Sequence, residues 1–121
     1  MARKRMVMEL GMGTDLQGED YTKAACRALH NALRQNSLTV ADAFGVPRDQ
    51  MDVEIVIGVA KPAQVDKQAV ADVLPYGKRV VLVEEGGMDT PKDEGGFTVM
   101  ANAAVLVYLD LPEGVYGVAT Q

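Results

Sequence analysis

The chain contains one histidine, one serine, one cysteine and no tryptophan, and each scarcity removes chemistry. His30 and Ser37 are seven residues apart. On one helix that spacing is roughly 10 Å of rise, beyond hydrogen-bond reach, so a serine triad within the chain is excluded. Cys26 alone cannot close an intrachain disulfide, which fits a reducing, cytoplasmic compartment. A structural zinc site needs several His and Cys ligands, so no metal and no cofactor is expected within one chain. Positive charge is short as well: 12 Lys and Arg against 17 Asp and Glu leave a formal charge of −5. That balance argues against nucleic acid or an anionic membrane as partner. Long apolar runs are missing too. Met6 to Leu10 is interrupted by Glu9 and too short for a signal sequence, so neither export nor a membrane span is expected.

At 121 residues and 48% hydrophobic content, the chain has the size of one domain with a substantial core. Hydrophobic periodicity predicts six elements. Residues 5–11 read as a strand with Met6, Met8 and Leu10 on the core face and Val7 and Glu9 on the other. Asp20 is placed to N-cap a helix reaching about residue 35, with Tyr21, Ala25, Leu29, Ala32 and Leu33 as its apolar stripe. A connection with one short turn at 39–44 follows. Residues 51–60 form a second strand that aligns Val53, Ile55, Ile57 and Val59. Pro62 suits the first turn of a second helix ending near Leu74, before Pro75-Tyr76-Gly77. Residues 78–85 are a third strand, 86–96 a mobile flap, and 97–111 a long fourth strand, bulged around 101–104. The predicted fold is an α/β (α+β) two-layer sandwich of order β-α-β-α-β-β, a four-stranded mixed sheet with two helices on one face. The other face, offering Asp52, Glu54, Val56, Val7 and Glu9, is half apolar. It is expected to be covered by self-association, with a trimer or larger ring favoured.

The run Gly11-Met12-Gly13-Thr14-Asp15-Leu16-Gln17-Gly18 places three glycines between a strand and a helix, where backbone amides can approach a ligand or a neighbouring chain closely. It lacks the GxGxxG and P-loop spacings, and Asp15, Glu19 and Asp20 would repel an anion at the helix start. The expected ligand is therefore a small polar molecule, recognised by hydroxyl, amide or cation contacts through Gly11, Gly13, Thr14, Asp15, Gln17 and Gly18. A tight turn with acidic caps is the plain structural alternative. Glu85 to Met88 is the expected opposing wall, with Glu85, Gly86 and Gly87 as its ligand contacts. Asn102, set among alanines, is either a structural bridge or a ligand contact. Ala24, Ala25, Ala28 and Ala32 allow close helix packing or simply favour helix. Lys23, Arg27, His30 and Arg34 share one helix face, which is solvated unless it docks carboxylates. Cys26, beside Leu29 and Leu33, reads as a structural thiol rather than a nucleophile. The acidic loop at 86–96 lacks calcium-loop spacing.

Residues Glu9-Leu10-Gly11-Met12-Gly13-Thr14-Asp15-Leu16-Gln17-Gly18, then Thr22-Lys23-Ala24-Ala25, Pro75-Tyr76-Gly77 and Gly86-Gly87-Met88, resemble a conserved-hypothetical family of small bacterial and plant proteins catalogued from a Listeria reading frame. The resemblance spans most of the chain. The family hallmark is GxGxDxHG, matched here at Gly11, Gly13, Asp15 and Gly18, while Gln17 stands where the motif has histidine. A neutral amide thus replaces a side chain able to ligate metal or titrate near neutrality. The resemblance implies a fold and a site without assigning an activity. The element pattern is also loosely similar to one repeat of the ring-opening cyclic amide hydrolases and to the small trimeric imine deaminases, whose sites form between repeats or subunits. The leading expectation is a cytoplasmic homo-oligomer that binds a small polar metabolite at a subunit interface near residues 11–18. Alternatives are a hydrolase or deaminase acting on a small cyclic amide or imine, with Glu9 and Asp15 as acid and base, and a structural interaction module with no pocket at the loop.

Overall fold

A computed structural model describes residues 2–34 and 39–112; Ser37 lies outside them. The elements are β1 (Ala2–Asp15), α1 (Tyr21–Arg34), α2 (Val40–Ala43), β2 (Asp52–Val59), α3 (Lys67–Ala71), β3 (Lys78–Glu85), β4 (Met88–Pro91) and β5 (Phe97–Leu111). They form an α+β fold with one mixed five-stranded sheet of order β1-β5-β2-β3, in which β4 also pairs with β5. β2 and β3 run parallel, and every other pairing is antiparallel. Helix α1 packs on β1, β5 and β2, while α3 packs on β3 and α1, so both sit on one side of the sheet.

Several predicted elements occur with small changes at their ends, and three departures have physical causes. The predicted second helix is split into a 3-10 turn at Pro62–Gln64 and the short helix α3. Asp66 separates them because its side chain accepts from the amides of Gln68 and Ala69, which starts a new helix. The predicted flap at 86–96 instead contains β4, which forms a hairpin with β5. Its turn is closed by the Lys92 amide donating to the Gly96 carbonyl. That fifth strand is too short to show an alternation of its own in the sequence. The bulge is in β1, not in β5: the register with β5 shifts between Arg5 and Val7.

The bulge inverts the face assignment of β1. Met6 and Val7 both pack towards the core, after which Met8, Leu10 and Met12 point away from the helices and are exposed. Gly11 and Gly13 are consequently on the helix side. A Cβ on Gly13 would lie 2.2 Å from the Ala28 nitrogen, and one on Gly11 would lie 2.4 Å from both the Ala28 oxygen and the Ala32 nitrogen. No side chain fits there, so glycine on the strand and alanine on the helix let two backbones touch. The Ala24, Ala28 and Ala32 stripe is thereby explained by close packing. Below it, Val53, Ile55, Ile57, Val59, Val99, Val105, Val107 and Leu109 build a fully buried layer with Leu29.

Candidate ligand site on the open sheet face

The side of the sheet away from the helices carries no covering layer among the described residues. Cross-strand register arranges it in rows. Met8, Leu106, Glu54 and Val80 form one row, and Leu10, Ala104, Val56 and Leu82 the next. Beyond these lies the row Met12, Asn102, Gly58 and Glu84. Met8 (55%), Leu10 (64%), Met12 (58%), Val80 (52%) and Leu82 (47%) are all strongly exposed.

The third row contains a gap. Gly58 has no side chain, and the Gly86 Cα and Gly87 nitrogen lie 3.5 and 3.6 Å from where its Cβ would be; Asn102 on one neighbouring strand and Glu84 on the other flank it, with their Cα atoms about 9.5 Å apart at two strand spacings. A concavity of about 260 Å³ occupies this position. Its floor is Gly58, Gly86 and Gly87 and its sides include Glu84, Glu85, Asn102, Leu10 and Val56, with Gly11, Ala103 and Ala104 beside them. At Gly87 no side chain fits, since a Cβ would lie 2.2 Å from the Met100 oxygen; at Gly86 a Cβ would sit tightly, 3.2 Å from the Gly58 Cα. A second concavity, of about 300 Å³, lies at the other end of the sheet and includes Gln50, Asp52, Lys78 and Asp110.

Five of the residues singled out in the sequence, Gly11, Glu85, Gly86, Gly87 and Asn102, therefore meet in one place. Gly13, Thr14, Asp15, Gln17, Gly18 and Glu9 do not line it. The predicted turn at residues 11–18 is half strand: β1 continues to Asp15, and the only described non-glycine residue with positive φ is Glu19. Asp15 is 5% exposed. It accepts from the Asp20 amide at 2.9 Å and lies 3.4 Å from the Arg27 guanidinium, which also donates to the Thr14 carbonyl at 2.8 Å. Asp20 in turn accepts from the Lys23 amide at 3.0 Å, an N-cap. The acidic residues here order the entry into α1. Gly18 is adjacent to the Asp15 carboxylate, Gln17 is exposed, and Glu9 is half-buried on the helix-side parity of β1. His30 is exposed. Cys26 is half-buried with its thiol directed to the Ala69 carbonyl, and burial, followed by the nearby Asp20 and Asp66 carboxylates, pushes its pKa up.

Glu84 and Gly58 were missed in the sequence, although alternation carries the signal: Val81 and Val83 face the helices, so Glu84 must face the open side. A second missed group is a buried polar pair at the start of α1. The Tyr21 hydroxyl donates to Asp89 Oδ2, and Asp89 Oδ1 is buried with no partner. Burial, then the hydrogen bond and charge of Asp89, push the Tyr21 pKa up to about 12. Tyr21 also sits against Phe97, whose amide donates to Glu19 and whose ring lies under the Lys61 ammonium. No group of three or more His, Cys, Asp and Glu suited to a metal occurs among the described residues, and no described helix is long and apolar enough to cross a membrane.

The sequence profile of a conserved hypothetical protein family, Lin0512_fam, matches residues 5–107, and so takes in the glycines of β1 and the whole concavity. The chain belongs to this family. A similar solved structure is that of an FtsZ-like protein of unknown function from Nostoc punctiforme. It is 36% identical, with a TM-score of 0.82 over 92% of this chain and 99% of that one. No curated protein matches. The Lin0512 family description and that of the structural neighbour both leave function open, so the chemistry of the concavity has to carry the functional reading.

Proposed function

We propose that this protein forms a homo-oligomer that binds a small polar molecule in the glycine-floored concavity between Glu84 and Asn102. The observation that carries the reading is the missing side chain at Gly58, flanked by an acceptor-only carboxylate and by an amide that both donates and accepts. Such a gap suits a ligand with donors, an amine or hydroxyl compound, over an anion. The apolar walls at Leu10 and Val56 limit its size. Asp15 already serves the Asp20 amide and Arg27, so it belongs to the turn rather than to this pocket. A carboxylate-catalysed hydrolysis or deamination would draw on Glu84 or Glu85 instead of Glu9 and Asp15.

Native mass spectrometry of the purified protein tests the reading. The expected result is a co-purified small molecule that is lost in Glu84→Gln and in Asn102→Leu, both at exposed positions and with folding checked by circular dichroism. Absence of any adduct, together with no thermal stabilisation by a panel of small amines, amides and polyols, overturns it.

A further inference from the structure

We infer that a second copy of this chain covers the open sheet face, packed face to face about a two-fold axis that runs across the strands between the Met8 and Leu10 rows. The two concavities described above then face each other and join. This inference deepens the proposed binding role in one respect, the closure of the ligand site. The pairing of copies stands independently of any ligand.

Three observations select this occupant and this arrangement. The first is area. Four strands at ~4.8 Å spacing and the eight residues of β2 at ~3.3 Å each give a face of roughly 500 Å² per copy, or about 1,000 Å² in all, the lower bound for a specific interface. Two sheets of this kind pack with their strands within about 30° of alignment.

The second is shape. About the stated axis, residues of the Met8 row oppose those of the Leu10 row in the partner. Leu106 meets Ala104 of the partner subunit, a large side chain against a small one, and Val80 meets Leu82 of the partner subunit. Glu54 enters the contact partnered: it shares Arg3, at 3.7 Å, with Asp52, at 3.5 Å, and the guanidinium stacks on Tyr108 at 3.7 Å.

The third is charge. Lys78 pairs in register with Asp52, and Glu84 with Gly58, at opposite ends of β3. The two-fold sets Lys78 against Glu84 of the partner subunit, twice. The other face-to-face two-fold, with its axis along the strands, would set Lys78 against Arg5 of the partner subunit and Glu84 against Met12 of the partner subunit. It therefore places like charges together at Lys78, where the favoured two-fold pairs opposite ones. In the favoured arrangement, Lys78, Asp52 and Tyr108 are the groups that close over the partner's Gly58 gap, so a binding site open on one copy becomes a chamber between two.

Sedimentation equilibrium on the full chain decides the matter. The expected species is a dimer. Leu82→Glu, a change at an exposed position whose folding is checked by circular dichroism, is expected to give a folded monomer. Lys78→Glu and Glu84→Lys are each expected to weaken the dimer roughly ten-fold, and the double exchange to restore it to within about three-fold of the original. A monomeric or trimeric natural chain, a Leu82→Glu dimer as tight as the original, or single exchanges that the double does not rescue would each overturn the inference. Native mass spectra of the same samples separate the two proposals. A monomer that retains a small-molecule adduct overturns the pairing and leaves the pocket standing, whereas a dimer with no adduct upholds the pairing and overturns the pocket.

Discussion

The two faces of the sheet come from the same strands yet are closed in opposite ways. On the helix side, Gly11 and Gly13 let α1 approach until backbones touch, and the layer beneath is fully buried. On the open side, methionine, leucine and valine of the adjacent rows stay exposed, and Gly58 lies against the Gly86–Gly87 backbone at the floor of a hollow. The same residue type therefore has two uses. Where α1 crosses, glycine removes distance until backbones touch; at Gly58, Gly86 and Gly87 it keeps the floor of a hollow free of side chains. Substitutions on either side test how far this contrast holds.

The largest effect is expected at Gly13→Ala. The new methyl would meet the Ala28 nitrogen at 2.2 Å, and backbone cannot step aside as a side chain can. The helix must lift from the sheet, so a loss of about 3 kcal/mol or more is expected, at the upper end of overpacking costs. The urea midpoint measures it. A loss below about 1 kcal/mol would mean that α1 sits loosely and that the covered face is less tightly closed than its geometry implies.

Next comes Tyr21→Phe, at the point where the covered face holds its buried polar pair. Removing the hydroxyl leaves Asp89 with neither oxygen bonded to Tyr21, at an expected cost of about 1 to 3 kcal/mol at neutral pH. The tyrosine pKa is raised from 10.0 to about 12 in the folded chain. Between those values the native state keeps a proton that the unfolded chain releases, so stability falls as pH rises through that window. The total fall is on the order of 2 kcal/mol for a group this buried. The variant lacks that fall, so its deficit should shrink from pH 10 towards pH 12 in denaturation curves. A deficit constant across the window would show that Tyr21 titrates normally.

Much of this contrast was legible in the sequence. Strict alternation in β2 marked Val53, Ile55, Ile57 and Val59 as core, and the boundaries of β3 and β5 follow from pattern alone. The N-cap at Asp20 was legible because its chemistry is local. Asp20→Ala accordingly carries a smaller expected loss of about 1 kcal/mol in thermal unfolding, that of one cap. The face of β1 was not legible. Its apolar residues, Met8 and Leu10, look like core, and only the single-residue bulge near Met6 turns them outwards. The glycines looked like a ligand loop because spacing cannot distinguish an approach by a ligand from an approach by Ala28 and Ala32 of the following helix. The site itself was half legible: Glu85, Gly86, Gly87 and Asn102 stood out by composition, while Glu84 and Gly58 acquire meaning only once β2, β3 and β5 are placed side by side.

The smallest effect is expected on the open face, where it is also the most informative. Leu10 is 64% exposed on the isolated chain. Leu10→Ala and Leu82→Ala should therefore each cost no more than about 0.5 kcal/mol when unfolding is followed at submicromolar protein, where chains are separate. At tens of micromolar the same substitutions should cost more, because a partner that binds only the folded state adds stability that rises with protein concentration. A gap that widens with concentration would mean that the face is covered in use, and that its exposed leucines are half of a core completed by another copy. A gap that stays small at every concentration would leave the face bare, and would reduce the difference between the two sides of the sheet to the presence of the helices on one of them.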